Sequence, residues 1–492
     1  MKDPIFLQTM QTAQNGEADS PVNLESAIHE FLQGKLTQEL LEELIDDCSW
    51  HETMMSPEKT VGNWKRLLAI NLLHYLSGGA SHKLSSKVYR FEKHPWNQSS
   101  QYFRVIVALN HHLAKLPVPE VAPHLLKGGA ALIELQEYSP WLALPSIPFH
   151  LEFGIFLCAL ALLTQRDDLK AKVIQLAEWQ MSTLDANCKP FPGLFIQETD
   201  NDLQGNLILY YLLFKGTSCL SKQKSFYALA HKIKAQIQKE SPIDPMWILL
   251  EKLFCGEKQN SEIFLPEIVS DSSTALVGYR SAKQHAVCTL HGCKTGLGTF
   301  RYEDIEIVNY GPQYLPLGEC RGFGIEGNNN SDQGERIPSI QPLPQGFILK
   351  GCTRMIDQPV ENRPFATIYR GIWFDIKQEF WLPNLYLNLS VLGLDGWDGV
   401  AFSFFVKAKK CKVEGKELLS KSFDRYEGFV QDIVLEGEKV SYSLKTESHA
   451  TLQIIPLAGG QDFWGADFLI AFLLHPDQRR YSWQFERMKA EG

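Results

Sequence analysis

The sequence predicts an α+β chain of two parts, helical first and antiparallel β after, and three observations carry that expectation. From Asn23 to Phe254 apolar residues recur three and four apart, which is the helical period. From Ser272 onward, short runs rich in β-branched and aromatic residues are broken by Gly, Pro, Asn and Asp. No helical pattern interrupts those runs, so the strands must pair antiparallel and stack as sheets face to face. A chain of 492 residues also exceeds what one hydrophobic core usually organises.

Taken in order, residues 1–22 hold Asp3 early, no long apolar run and no small-residue cleavage site, and read as a mobile leader. The helical part is expected over 23–258. NLESAIHEFLQGK and LTQELLEELIDDCSW follow Asn23 and Thr37 as N-caps. TVGNWKRLLAINLLHYLSGG stops at Gly78-Gly79, and SQYFRVIVALNHHLAKLPVP stops at Pro117 and Pro119. Further helical patterns are PEVAPHLLKGGAALIELQEY, the run from Pro148, LKAKVIQLAEWQMSTL, Asn201 to Lys215, KSFYALAHKIKAQIQK and PIDPMWILLEKLF. About ten helices with short connections make antiparallel hairpins. The period changes within residues 255–270, and the β part is expected over 264–492. Its clearest strands are STALVGYRS, QHAVCTLHG, ATIYRGIWFDIKQEFWL, LYLNLSVLGL, GVAFSFFVKA, FLIAFLLH and YSWQFER.

Forty-eight basic against 57 acidic residues give a formal charge of -9, which offers no general attraction to nucleic acid or an anionic membrane. The most apolar run, Phe153 to Leu163, falls short of the roughly 20 residues that span a bilayer. A soluble, cytoplasmic protein is therefore expected. Ten cysteines without a C-x-x-C suit a reducing compartment. His285, Cys288, His291 and Cys293 lie close in sequence, but strand parity sends Cys288 to the opposite face. Residues six apart on a strand are also some 20 Å distant, so no metal and no cofactor is expected.

The region from Pro148 to Tyr211 concentrates polar residues near helix starts. His150 and Glu152 open one apolar helix, and Glu198, Asp200 and Asp202 precede another. Such a His-Glu pair is more often structural than catalytic. Tyr210 lies two turns beyond Leu203 on the same face, where core is the more common role. Aromatic and acidic residues gather in three loops of the β part. They include Glu319, Arg321 and Glu326 in the first, Trp397 in the second and Trp464 in the third. Sugar sites combine an aromatic face with carboxylates and amides, although turn chemistry favours several of the same residue types.

Phe149-His150 with Glu152, followed by Pro192-Gly193 with Glu198, Asp200 and Leu203, resembles the heparinase II/III-like polysaccharide lyases. That family carries Asn-His at a helix start and later a D-G-x(3)-E-x-S-x-x-Y segment. The resemblance implies an incomplete (α/α) toroid followed by an antiparallel β-supersandwich. It also implies candidate catalytic residues His150, Glu152, Glu198 and Tyr210. Candidate substrate-binding residues are Glu319, Arg321, Glu326, Trp397 and Trp464, set in a cleft between toroid and β-domain, with an oligosaccharide or polysaccharide as partner. The chemistry departs from the family. Phe149 stands where the carboxylate-neutralising Asn belongs, and Leu203 where the catalytic Tyr belongs. The family's H-x-H-x-D-x-x-S-F loop is reduced here to the turn in TLHGCKTGLGTF. The leading expectation is a lyase-like protein without lyase activity that retains carbohydrate or partner binding. An enzyme with rearranged residues and an interaction scaffold are the alternatives.

Overall fold

The computed structural model describes residues 24–47, 57–79, 82–92, 101–121, 147–191, 200–221, 223–238, 243–255, 263, 265–271, 276–293, 296–314, 323–327, 339–357, 368–394, 399–459 and 462–488. Two compact units result. One comprises the helices, and the other takes Met181–Leu203 together with everything from Leu265.

Ten helices stand among the described residues. They are α1 (Leu24–Gln33), α2 (Gln38–Asp47), α3 (Pro57–Leu76), α4 (His82–Glu92) and α5 (Gln101–Leu113). After them come α6 (Ile147–Thr164), α7 (Asp167–Met181), α8 (Asp200–Leu220), α9 (Lys224–Lys234) and α10 (Pro245–Leu253). Their ends follow local chemistry. The Thr37 hydroxyl accepts from Leu40 N at 3.2 Å, and the Asp244 carboxylate caps α10 by accepting from Met246 N at 2.8 Å. α3 stops where Gly78 takes φ +76° and Gly79 N returns to His74 O at 3.0 Å, a turn that needs a residue without a Cβ.

α6 is buried at Leu151 and continuously from Phe153 to Ala161, so no face of its centre meets water. That explains why it is apolar all round instead of striped. α3 packs against both α5 and α10. Asn71 donates to Asn110 at 2.7 Å across the α3–α5 contact, pairing two amides that burial would otherwise penalise. α4 was not expected. Among its described side chains only Leu84 and Val88, one turn apart, are buried, and they form a short apolar stripe among serines and lysines. The helix expected over 119–138 falls almost wholly outside the described residues.

In the second unit, nine strands form one antiparallel sheet. In sequence order they are β1 (Ile268–Asp271), β2 (Leu276–Arg280), β3 (Gln284–Cys293), β4 (Gly296–Tyr302), β5 (Ile305–Tyr314), β11 (Val400–Lys407), β14 (Tyr426–Gly428), β17 (Thr451–Pro456) and β18 (Phe468–Leu473). Their spatial order is β1-β2-β3-β4-β5-β11-β18-β17-β14. The other sheet holds β6 (Phe323–Gly327), β7 (Ser339–Leu343), β8 (Gly346–Asp357), β9 (Ile368–Trp381), β10 (Asn384–Leu392), β12 (Lys410–Val413), β13 (Lys416–Leu419), β15 (Asp432–Glu436), β16 (Ser441–Thr446) and β19 (Arg480–Arg487). It runs β13-β12-β15-β16-β19-β10-β9-β8-β6, with β7 also on β8.

The inner faces share one core. Phe402, Phe404 and Phe472 from the first sheet meet Phe380, Trp483 and Phe485 from the second. Trp483 stacks on Phe402 with centroids 4.4 Å apart, and Tyr310 Oη donates to Gln378 Oε1 at 2.5 Å from sheet to sheet. Alternate residues of β10 and β19 point out to a polar face. β11 is instead buried on both faces, because Phe405 meets a second apolar cluster on the outer side of its sheet.

Candidate functional site

In the helical unit, charged side chains interrupt apolar helices at two places. Lys65 lies on α3, Tyr102 on α5 and Glu152 on α6. Lys65 Nζ donates to Glu152 Oε2 at 2.6 Å, and Tyr102 Oη donates to the same oxygen at 2.8 Å. The ammonium also lies 5.8 Å from the Tyr102 ring and 6.0 Å from each of the Phe156 and Trp247 rings, within cation–π range. Tyr102 is fully buried, whereas Lys65 and Glu152 keep 24% and 21% of their side chains open. Solvent and solutes therefore reach the charged pair and not the phenol.

Burial first, and the Glu152 carboxylate second, push the Tyr102 phenol well above its usual range. At neutral pH the phenol keeps its proton and cannot serve as a base there. Glu152 accepts from both neighbours, so one carboxylate oxygen joins α3, α5 and α6. The cluster can bind: an ammonium, an anionic acceptor and an indole edge meet at a partly open surface.

One turn beyond Trp247 on α10, Glu251 gathers a second set. Its Oε1 accepts from Tyr211 Oη at 2.5 Å, Lys215 Nζ at 3.2 Å and Lys234 Nζ at 3.4 Å. Both ammonium groups also sit over the Tyr211 ring, at 5.7 and 5.2 Å. Spacing of four puts Trp247 and Glu251 on one face of α10, so the helix carries a member of each cluster.

The residues expected from sequence fall in different surroundings. His150 is fully buried; Gln180 Nε2 donates to its Nδ1 at 2.6 Å, and Trp179 packs against the ring with centroids 5.1 Å apart. Tyr210 is fully buried and stacked on Phe214. Glu152 alone of that set has a partly open side chain. Glu198, Glu319, Arg321 and Trp397 lie outside the described residues. Glu326 is on β6 opposite Arg354 in register. Trp464 is half-buried with φ +60° and packs edge-on against Phe405 at 5.0 Å, covering the outer side of the nine-stranded sheet. Lys65 and Tyr102 were not anticipated. The available signal was Glu152 itself, since a lone carboxylate in so apolar a helix requires partners.

A second polar cluster belongs to the β unit. Residues 183–191 fold back on themselves: Asp185 N donates to Lys189 O at 2.7 Å, and Phe191 N to Thr183 O at 3.0 Å. The Arg280 guanidinium holds this turn, donating to Leu184 O and Met181 O at 2.5 Å each and to Pro266 O at 2.7 Å. Burial lowers its pKa to about 10, so it stays charged at neutral pH. His285 lies beside it with the Phe191 ring 4.9 Å away. Thr299 gives its proton to Ile307 O at 3.0 Å, which leaves its oxygen to accept from His285 Nε2 at 3.4 Å. Glu306 is 3.8 Å from that nitrogen, yet burial, with Arg301 and Lys407 adding to it, keeps the imidazole well below its usual pKa. A neutral ring makes no ion pair, so the cluster is a structural pin. Cys288, three residues on, points into the sandwich core, opposite to His285. Among the described residues no three metal-ligating side chains converge.

No family model and no curated protein matches this sequence. Solved structures do. The chain is similar to a Paenibacillus xanthan lyase at 9% identity and TM-score 0.52, covering 99% of this chain and 58% of that one. It is similar to a heparinase III with methylated lysines at 10% identity and TM-score 0.50, covering 99% of this chain and 85% of that one. The chain thus spans 58% of the length of the xanthan lyase it matches. Identities this low establish likeness of fold: helices followed by two large antiparallel sheets, as in polysaccharide lyases. No helix among the described residues is long and apolar enough to cross a membrane.

Proposed function

We propose that this chain uses a polysaccharide-lyase fold, with its helices arranged as an (α/α) toroid, to bind an acidic carbohydrate without cleaving it. The observation that carries the proposal is the state of His150. The family resemblance assigns that residue to the substrate, yet here it is fully buried and held by Gln180 at 2.6 Å. A buried, hydrogen-bonded imidazole cannot exchange a proton with a sugar. Tyr102, with its proton held and its hydroxyl engaged, offers no substitute base. Binding is supported by Lys65, half-open beside an indole and a carboxylate, a combination suited to a charged sugar.

The enzyme alternative is favoured by one feature, the convergence of Tyr102 and Lys65 on one oxygen of Glu152. A glycan array of neutral, uronate-bearing and sulfated oligosaccharides tests the binding claim. Selective retention of uronate glycans, weakened by Lys65→Met, is the expected result. Retention of none, or retention indifferent to Lys65→Met, contradicts it.

A further inference from the structure

The outer face of the ten-stranded sheet carries a set of polar residues aligned in register across four strands. Register places Lys350, Lys377, Asn388 and Ser482 in one row across β8, β9, β10 and β19. Asp375, Ser390 and Arg480 form the next row, and Trp373 with Leu392 a third. Neighbouring strands lie about 4.8 Å apart, so each row presents its side chains as a close series. A hollow of about 610 Å³ covers the first two rows and is lined by Glu447 as well.

Two features distinguish this face from an ordinary solvated one. Lys350 and Lys377 stand directly opposite each other, a like-charge pairing offset by an acidic neighbour on the Lys377 side alone. Lys377 is joined to Glu379. Lys350 and Arg480 have no ion-pair or hydrogen-bond partner for their side chains among the described residues.

The lining also restricts the ligand. A polyphosphate or heavily sulfated chain would be repelled by Asp375 and Glu447, which line the same hollow. A sugar with one carboxylate per repeat brings fewer negative charges against the same lining. Cations take the carboxylate, Asn388 and Ser390 take hydroxyls, and half-buried Trp373 beside Leu392, which is 41% exposed, offers an apolar surface to a ring face.

We propose that this sheet face is a second, non-catalytic binding surface for a carboxylate-bearing oligosaccharide, with Lys350 and Arg480 on the carboxylate. It shares no residue with the Lys65 cluster. The ligand class agrees with the carbohydrate reading of the helical unit but follows from the sheet's own side chains.

Titration calorimetry on the full chain tests it with hyaluronan and oligomannuronate hexasaccharides as uronate probes, cellohexaose as the neutral probe and inorganic sulfate as the bare anion. At least one uronate probe is expected to bind saturably and to keep a binding event in Lys65→Met. In that background Lys350→Ala/Arg480→Ala should weaken it about tenfold or more, and Lys350→Glu should weaken it further. The proposal is overturned if neither uronate binds, or if cellohexaose or sulfate alone binds as well. It is equally overturned if the double variant binds unchanged. Loss of all binding on Lys65→Met alone would overturn this proposal while leaving the helical site standing.

Discussion

His285 is kept neutral by its surroundings, and that makes it sensitive to acid. Burial, Arg301 and Lys407 all disfavour its charged form, while Glu306 at 3.8 Å is too weak a counterweight. Unfolding frees the ring to take up a proton at its ordinary pKa of about 6.5. The stabilising contribution is therefore whole above that pH and is lost progressively as pH falls below it, by at most about 1.4 kcal/mol per unit. Urea midpoints measured from pH 7.5 down to 5 should fall less steeply in His285→Gln than in the unaltered protein; parallel profiles would refute the assignment. Buried His74 and partly buried His112 shift in the same direction, so the slope should be reduced and not removed. None of this was legible from sequence. The turn DANCKPFPGLF announced itself through Pro and Gly, but nothing local tells that Arg280, about a hundred residues on, will clamp it.

Among the elements, strand patterning was readable wherever one face meets the core and the other meets water. β10 and β19 alternate and were expected; β12, β13, β14 and β15 are three to five residues long and carry too few alternations to register. LGTFRYEDIEIVNYG, expected as a continuous strand-like run, is in fact the hairpin of β4 and β5 turning at Glu303 with φ +52°. The pairing of the two sheets rests on a few large contacts. Trp483 is completely buried between Phe402, Phe404 and Phe472, so Trp483→Ala should cost about 3–5 kcal/mol by losing apolar contact and leaving a cavity. A denaturant midpoint unchanged in that variant would mean the inner faces do not carry the fold. By comparison Glu152, the one member of its cluster flagged by sequence, stood out because a charge is rare in a helix like α6, whereas Lys65 sits beside Arg66 and reads as an ordinary exposed face.

For the molecule as a whole, the order of helices before strands was plain from the change in hydrophobic period, and the lyase-like solved structures share that order. The function is less plain, because the sequence resemblance puts Phe149 and Leu203 where the resembled family carries its chemistry. Eliminating across a uronic acid linkage needs a base for the C5 proton and a donor that neutralises the neighbouring carboxylate. Phe149 has no group for the second role, and Leu203 none for the first. Each missing donor typically costs about 10²- to 10³-fold in rate. The most direct measurement is ultraviolet detection of unsaturated uronate after prolonged incubation of the protein with heparan sulfate, hyaluronan, chondroitin and alginate. The expected result is no product above the no-protein control from any of the four. Unsaturated product that disappears in Tyr102→Phe or His150→Ala would contradict the proposal and make the protein a lyase with rearranged residues.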